Sequence, residues 1–177
     1  MNQEISKKDS IFFPEAEFNQ KGIKVISSKD IKYLKKKALN SKRNRYRLCL
    51  HSDVKHLTQE MIICLKGSNY FRTHRHPEGF SESYFIIEGS IDIYLFNNDG
   101  IFIEKINLNS NGGAFYYRLS KSIFHLVIPR TDWTIYHEVA TGPFDKEKSI
   151  IFADFAPTED SEINVINSYI NQIEKNG

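Results

Sequence analysis

The chain has 177 residues, of which 40% are hydrophobic and 26% are charged, and its formal net charge is +2. This length is typical of one domain with a buried core, and so small a charge gives no indication of nucleic-acid binding. No apolar run approaches the roughly 20 residues that cross a bilayer, and the N-terminus lacks the apolar stretch of a secretory signal. Cys49 and Cys64 form no Cys-x-x-Cys pair. We therefore expect a reduced, cytoplasmic protein that binds neither membrane nor nucleic acid.

Residues 1–60 are expected to form an arm with helices that packs on the rest of the chain. Extended pieces are predicted at Ile11-Phe12-Phe13-Pro14 and at Ile23-Lys24-Val25-Ile26. Ser27-Ser28-Lys29-Asp30 then has the pattern of a helix N-terminus, with an acidic residue three positions after Ser27. This helix is predicted to continue through Leu39 and to end within residues 40–44. A second short helix is predicted from Asp53 to about Glu60.

From Met61 onward, short β-rich runs alternate with turn residues. Asp99-Gly100 predicts a hairpin, because glycine tolerates a positive φ. Strands are predicted at residues 61–65, 70–74, 82–88, 90–96, 102–108, 114–118, 125–128 and 134–139. So many short strands predict a closed or double-sheet β structure over residues 61–157. Residues 158–177 are predicted to add an amphipathic helix, because apolar residues recur there at helical spacing, namely Ile163, Ile166, Ile170 and Ile173.

The most informative cluster is His74-Arg75-His76, followed by Glu82 and, much later, His125. Alternate residues of a strand point to the same face, so His74 and His76 are expected to enter one cavity. Imidazole and carboxylate ligands together suit a divalent ion such as Fe, Mn, Ni or Zn. Glu78 is a rival carboxylate, but it lies in a Pro-Gly turn next to His76. We predict a metal site formed by His74, His76, Glu82 and His125, with the metal left open.

These residues resemble the two sequence motifs of the cupin superfamily. The first motif is matched by Gly67, His74-Arg75-His76, Glu82 and Gly89, and the histidine of the second motif by His125. The chain departs from the pattern in having five residues between His76 and Glu82, and in having serines in place of the proline and glycine before His125. The resemblance implies a mainly β fold: a cupin-type double-stranded β-helix (jelly-roll) barrel with N-terminal helices and a C-terminal amphipathic helix.

A narrower resemblance, over roughly residues 43–157, is to the WbuC-type cupin-fold metalloproteins. It is carried by Leu50-His51, by residues 72–77, by Glu138-Val139 and by Gly142-Pro143 with the residues that follow. That family is associated with surface-polysaccharide (O-antigen) gene clusters. The resemblance therefore implies a small carbohydrate-like ligand, such as a sugar or sugar nucleotide, but no particular reaction.

Further residues are candidates for substrate chemistry beside the metal. His51 and Glu138 are candidate catalytic residues, because metal-assisted proton transfer needs a positioned acid or base. The alternatives are a capping role for His51 and a solvated strand position for Glu138. Tyr84 shares the strand face of Glu82 and is expected to line the cavity. Arg45, Arg47 and Arg72 are candidates to bind a phosphate or carboxylate through paired hydrogen bonds.

The leading hypothesis is a metal-dependent isomerase or epimerase that acts on a small sugar or sugar nucleotide in surface-polysaccharide biosynthesis. The alternatives are an Fe(II) dioxygenase and a non-enzymatic, metal-dependent module that binds or senses sugar. A homodimer is also expected, because pairing hides an exposed β edge and the hydrophobic N-terminal pieces could form the arm that does so.

Overall fold

The computed structural model describes residues 14–176 of the chain. The strands of this part are β1 (Ala16–Phe18), β2 (Arg45–Cys49), β3 (Thr58–Lys66), β4 (His74–Arg75), β5 (Glu82–Glu88), β6 (Ser90–Phe96), β7 (Phe102–Asn109), β8 (Tyr116–Leu119), β9 (Phe124–Pro129), β10 (Trp133–Thr141) and β11 (Ile151–Phe152). Its helices are α1 (Ser28–Leu39), α2 (Lys146–Ser149) and α3 (Ile163–Asn176).

The strands form two sheets that face each other. Sheet I has the order β1-β2-β3-β10-β5-β8, and sheet II has the order β11-β4-β9-β6-β7. Neighbouring strands are antiparallel, apart from the parallel pair β1 and β2. β1 and β2 extend sheet I with residues from before position 60. The predicted mainly β barrel with helices at both ends is confirmed.

Strand alternation explains how the core is divided. In β3, Met61 and Ile63 point between the two sheets, whereas Ile62 and Cys64 point outward beneath α1. β6 is buried on both faces because α3 covers its outer side. There, Tyr94 packs in a second cluster with α3, while the inner residues of β6 belong to the central core.

α1 begins where the sequence predicts it. The Asp30 carboxylate accepts hydrogen bonds from the Ser27 backbone N–H at 2.9 Å and from the Ser27 hydroxyl at 2.7 Å. These bonds fix the first turn of the helix. Leu34 and Ala38 are fully buried against the outer face of sheet I, so packing on the sheet rather than helix propensity alone stabilises α1.

Two turns depend on glycine. Gly100, with φ of 78°, closes the predicted hairpin between β6 and β7. Gly89, with φ of 81°, joins β5 to β6, and a Cβ atom there would lie 2.2 Å from the Trp133 carbonyl oxygen and from Thr131 Oγ1. Both the positive φ and this close approach exclude a larger residue at position 89.

The helix predicted from Asp53 to Glu60 is wrong. Residues 53–56 form only a turn, and the chain is already extended in β3 from Thr58. The alternation of inward residues in β3 continues back to Gln59, which is buried. This period-two pattern outweighs the local helix-start signal at Ser52-Asp53.

The strand predicted over residues 70–74 is also wrong, since β4 comprises His74–Arg75 alone. The preceding segment binds the C-terminal part of the chain mainly through side chains. Tyr70 Oη donates to the Pro157 carbonyl oxygen at 2.8 Å, and Thr73 Oγ1 lies 2.8 Å from the Tyr169 hydroxyl. The other predicted strands are present with small shifts at their ends.

The terminal segments are only partly described. Ile11-Phe12-Phe13 lies outside the described residues, and no strand forms at 23–26, where Ile23 is 82% exposed and Val25 is 76% exposed. The predicted C-terminal helix is present as α3, with Ile166 and Ile173 buried. None of the described helices is long and apolar enough to span a membrane. Both cysteines are free thiols.

Candidate metal centre

Three histidines converge at one end of the barrel. The possible ligand atoms of His74, His76 and His125 all lie within 4.8 Å of one another. His74 and His125 are directly opposite in the pairing of β4 with β9, and their ring centroids are 4.5 Å apart. The His76 ring lies 5.3 Å from that of His74. The structure thus brings together the three histidines that the sequence indicated.

Each of these rings is held by a backbone carbonyl oxygen. The pairs are His74 Nδ1 with Arg72 at 2.9 Å, His76 Nδ1 with Ser149 at 2.7 Å, and His125 Nδ1 with Ile123 at 3.2 Å. A carbonyl oxygen only accepts hydrogen bonds, so each Nδ1 carries the proton and donates it. In the neutral ring this leaves the Nε2 lone pair free. Metal-bound imidazoles in proteins are oriented in the same way.

Glu82 places a buried carboxylate among these lone pairs. Its side chain is 2% exposed, with Oε1 3.1 Å from His125 Nε2 and Oε2 3.3 Å from His76 Nε2. Glu82 Oε1 and His125 Nε2 are both buried and have no hydrogen-bond partner among the described residues. When the electron pairs of two buried atoms face each other with no proton between them, they repel each other, and a bound cation removes this cost. The residues therefore fit a divalent metal ion, which nitrogen and carboxylate ligands suit.

The ionisation of the cluster agrees with this geometry. Burial, reinforced by the charge of His125, lowers the pKa of His74 to about 3. Burial opposes the charge of Glu82, but the nearby histidines, His125 first, outweigh it and lower the pKa to about 2. Burial also opposes the charge of His76, yet the hydrogen bond with Glu82 raises the pKa of that ring. The Glu82 carboxylate therefore favours the protonated form of the His76 ring.

Tyr84 orients the Glu82 carboxylate. Its hydroxyl donates to Glu82 Oε2 at 2.7 Å, and its side chain is 4% exposed. Tyr84 and Glu82 lie two positions apart on the inner face of β5, as the sequence indicated, and both line the same cavity. The hydrogen bond to Glu82 was not predicted from the sequence, which indicated only that the two side chains share a strand face.

A cavity of about 480 Å³ lies in front of this cluster. Of the proposed ligands, His74, His76 and Glu82 line it, while His125 lies behind them and is fully buried. The floor is the inner face of sheet I, where β10 pairs with both β3 and β5. Its volume lies within the range of small-molecule sites in proteins.

The two candidate acid–base residues both line this cavity. His51 is 6% exposed, and its Nδ1 lies 2.9 Å from both the backbone N and O of Glu60, so Nε2 is the ring atom left for a ligand. Burial lowers the pKa of His51. No described residue donates a hydrogen bond to the Glu138 carboxyl. Burial, then the charge of Glu82, raises the pKa of Glu138 to about 7.

The predicted arginines line the cavity too. Arg72 Nη2 donates to the Ala153 carbonyl oxygen at 2.8 Å, and the guanidinium lies 5.2 Å from the Phe152 ring centroid. Its Nε is buried without a hydrogen-bond partner among the described residues. Arg47 projects from the inner face of β2 and has no ion pair within the described part of the chain.

Residues far apart in sequence complete the cavity rim, and their ion pairs are not apparent from the sequence. Arg45 is ion-paired with Glu15 at 3.2 Å and with Glu159 at 2.7 Å. Arg43 binds the same two carboxylates, with Nη2 2.6 Å from Glu15 Oε2. This charge network ties the segment before α3 to β2. Isolated acidic residues carry no signal of such long-range pairing.

Comparisons with known proteins support the fold more than the chemistry. A family model described as a domain of unknown function (DUF6016) matches residues 26–108, just under half of the chain. No curated protein matches the chain significantly. The capsular polysaccharide assembling protein CapF from Staphylococcus aureus superposes with a TM-score of 0.53 at 12% identity, over 63% of this chain and 32% of CapF. The chain therefore spans about a third of the length of CapF.

Two further solved structures are more distant in shape. A Shewanella oneidensis protein aligns with a TM-score of 0.47 at 12% identity, covering 68% of this chain and 75% of that one. Oxalate decarboxylase from Lactobacillus farciminis aligns with a TM-score of 0.42 at 19% identity, covering 56% and 28% of the two chains. Likeness at such identity concerns the fold alone. The likeness to CapF and the two-sheet barrel described above together show that the chain has the cupin-type double-stranded β-helix fold.

Proposed function

We propose that the protein is a metal-binding cupin that acts on a small sugar or sugar nucleotide as an isomerase or epimerase in surface-polysaccharide biosynthesis. One observation carries the proposal: three histidine Nε2 atoms and the buried Glu82 carboxylate converge at the wall of a cavity of about 480 Å³. The likeness to CapF, a protein named for capsular polysaccharide assembly, supports the proposal of a carbohydrate-like substrate.

The proposed ligands of the divalent ion, which would be Fe, Mn, Ni or Zn, are His74, His76, Glu82 and His125. Such an ion supplies Lewis-acid chemistry, polarising a carbonyl or hydroxyl oxygen of the substrate. The Tyr84 hydroxyl keeps Glu82 turned toward the histidines. Tyr84 also presents its ring to the cavity and so shapes the wall beside the substrate.

Glu138 and His51 would move protons. The Glu138 carboxylate accepts a proton from the carbon next to a polarised carbonyl group, and the electron pair of that C–H bond shifts toward the carbonyl oxygen. In an isomerase, protonated Glu138 would return the proton to the former carbonyl carbon, while the hydroxyl proton of the deprotonated carbon would pass to the former carbonyl oxygen. In an epimerase, His51 would donate a proton from Nε2 to the opposite face of the deprotonated carbon. In the metal-free protein the pKa of Glu138 is raised to about 7, first by burial, and a raised pKa suits a group that must both accept and donate a proton near neutral pH.

Incorporation of solvent deuterium tests this reaction class. The metal-loaded protein is incubated in D2O with a panel of sugars and sugar nucleotides, and the loss of C–H proton signals is followed by NMR. We expect exchange at one carbon that requires metal and falls at least 100-fold in Glu138→Gln. Glu104→Gln, the same change at an exposed position of β7, is the control and should exchange as the wild type does.

The two alternatives give different results in the same samples. Substrate-dependent O2 consumption by the iron-loaded protein, without deuterium exchange, would identify the dioxygenase. The donor set of three histidines and a glutamate is compatible with iron. Saturable sugar binding with neither exchange nor O2 consumption would identify a sugar-binding or regulatory module. Either result would reject the isomerase or epimerase.

A further inference from the structure

Arg47 differs from every other arginine of the described residues because its guanidinium has no hydrogen-bond, ion-pair or aromatic partner there. Its neighbours on the inner face of β2 are Arg45 and Cys49, which alternate with the outward-facing Tyr46 and Leu48. Within the described residues, the Arg47 guanidinium makes no hydrogen bond, ion pair or aromatic contact. The other arginines do make such contacts: Arg43, Arg45, Arg72, Arg75, Arg118 and Arg130.

The contrast with Arg45 is the sharpest. Arg45, two positions earlier on the same strand face, is 6% exposed and is neutralised by Glu15 and Glu159. The chain thus supplies two carboxylates to one guanidinium and none to the next. Glu138 lies near enough to interact electrostatically with Arg47 but forms no ion pair with it.

A second donor without an acceptor lies in the same cavity. Arg72 Nε is buried and has no hydrogen-bond partner among the described residues, although Nη2 of the same side chain donates to Ala153. Buried or half-buried donors without acceptors are costly to a fold unless something satisfies them. A guanidinium offers five N–H donors in a planar fork that matches the oxygens of a carboxylate or phosphate.

We infer that the ligand of this cavity carries an oxyanion, a carboxylate or a phosphate, which Arg47 binds through its guanidinium fork and toward which Arg72 Nε adds a donor. The inference rests on the proposed function, because the same cavity is lined by the candidate metal ligands. It narrows the class of proposed substrates to acidic small molecules. A sugar acid or a sugar carrying phosphate has this chemistry, whereas a neutral sugar does not.

Direct binding of two small anions tests the inference. Inorganic phosphate and acetate are titrated by calorimetry into the metal-free and the zinc-loaded full-length protein. We expect saturable binding of at least one anion to both forms, weakened at least tenfold in Arg47→Gln and less in Arg47→Lys, which keeps the charge but loses the fork. Lys42→Gln, the same loss of charge at an exposed position outside the cavity, should bind as the wild type does.

Several outcomes would overturn the inference. These are no saturable binding of either anion, equal affinity in Arg47→Gln and wild type, or binding that disappears when the metal is removed and is unchanged by Arg47→Gln. Preference for phosphate or for acetate then distinguishes a phosphorylated ligand from a carboxylic acid. Metal content is measured in every sample: anion binding that depends on Arg47 in a protein that holds no metal would uphold the inference and reject the metal-dependent function.

Discussion

At the residue scale, the Tyr84–Glu82 hydrogen bond links the cavity wall to the proposed metal site. Removing the hydroxyl in Tyr84→Phe keeps the ring and its packing but leaves Glu82 Oε2 without that donor. Because groups that orient a ligand typically contribute 10–100-fold to metal affinity, we expect about tenfold weaker zinc binding in competition with a chromogenic chelator. Tyr116→Phe, at an exposed position of β8, is the control. Equal affinities in both variants would show that Glu82 needs no orienting partner.

Glu138 gives a prediction on pH and stability in the metal-free protein. Its folded pKa of about 7 lies above the ordinary value of 4.5, because burial and Glu82 outweigh Arg47 and His76. The unfolded chain therefore loses this proton at a lower pH than the folded chain does. The stabilisation that comes from the neutral carboxyl is fully present below about pH 4.5 and is lost as the pH rises to about 7. Relative to wild type, Glu138→Gln should gain up to about 3 kcal/mol of unfolding free energy across that range.

Urea unfolding at several pH values measures this difference. The matched Glu104→Gln variant, on an exposed position, should follow the wild type at every pH. A Glu138→Gln difference that stays constant with pH would mean that Glu138 ionises normally in the folded protein, and the proposed proton transfer at neutral pH would lose its support.

How far the sequence predicts the site differs from residue to residue. Strand alternation predicts that His74 and His76 lie together, although β4 itself ends at Arg75, whereas His125 was expected from the resemblance to the second cupin motif. The pairing of Arg45 with Glu15 and Glu159 joins three distant parts of the chain, and no local pattern encodes it. For this reason, only the structure distinguishes the neutralised Arg45 from the unpaired Arg47.

At the element scale, the β5–β6 junction is the turn that depends most on its residue. Gly89→Ala combines a strained φ with a Cβ atom 2.2 Å from the Trp133 carbonyl oxygen, so we expect a loss of about 2–4 kcal/mol in unfolding free energy. Gly67→Ala provides the control, because its φ of 63° is similar but nothing lies within 4 Å of an added Cβ. We expect it to cost about 1 kcal/mol. Equal losses would mean that φ alone explains both effects.

The two wrongly predicted elements share a physical cause. At residues 53–60 the sequence begins like a helix, but from Gln59 onward every second side chain points inward. The backbone of these residues pairs with neighbouring strands in sheet I. At residues 70–74 an extended-looking run is held by Tyr70 and Thr73 against the segment before α3 and against α3 itself. In both places contacts with distant parts of the chain override the local preference, as they commonly do for short elements.

At the scale of the whole molecule, the homodimer stays a prediction. Ile23 and Val25 are 82% and 76% exposed in a segment that precedes α1, and such apolar side chains are candidates for contact with a second copy. We expect the wild type to elute as a dimer in gel filtration with light scattering, and Ile23→Ser/Val25→Ser to shift toward monomer with unchanged unfolding. A monomeric wild type would contradict the prediction.

The metal content of the purified protein tests the proposed function most directly. Protein prepared without a metal-binding tag is analysed for its elements beside His74→Ala, Glu82→Ala and the control His137→Ala, whose ring pairs with Glu60 away from the cluster. We predict close to one divalent ion per chain in wild type and control, and a loss of at least tenfold in the two cluster variants. Metal-free wild type that also fails to take up Fe, Mn, Ni or Zn on titration would contradict the metal centre and, with it, the proposed chemistry.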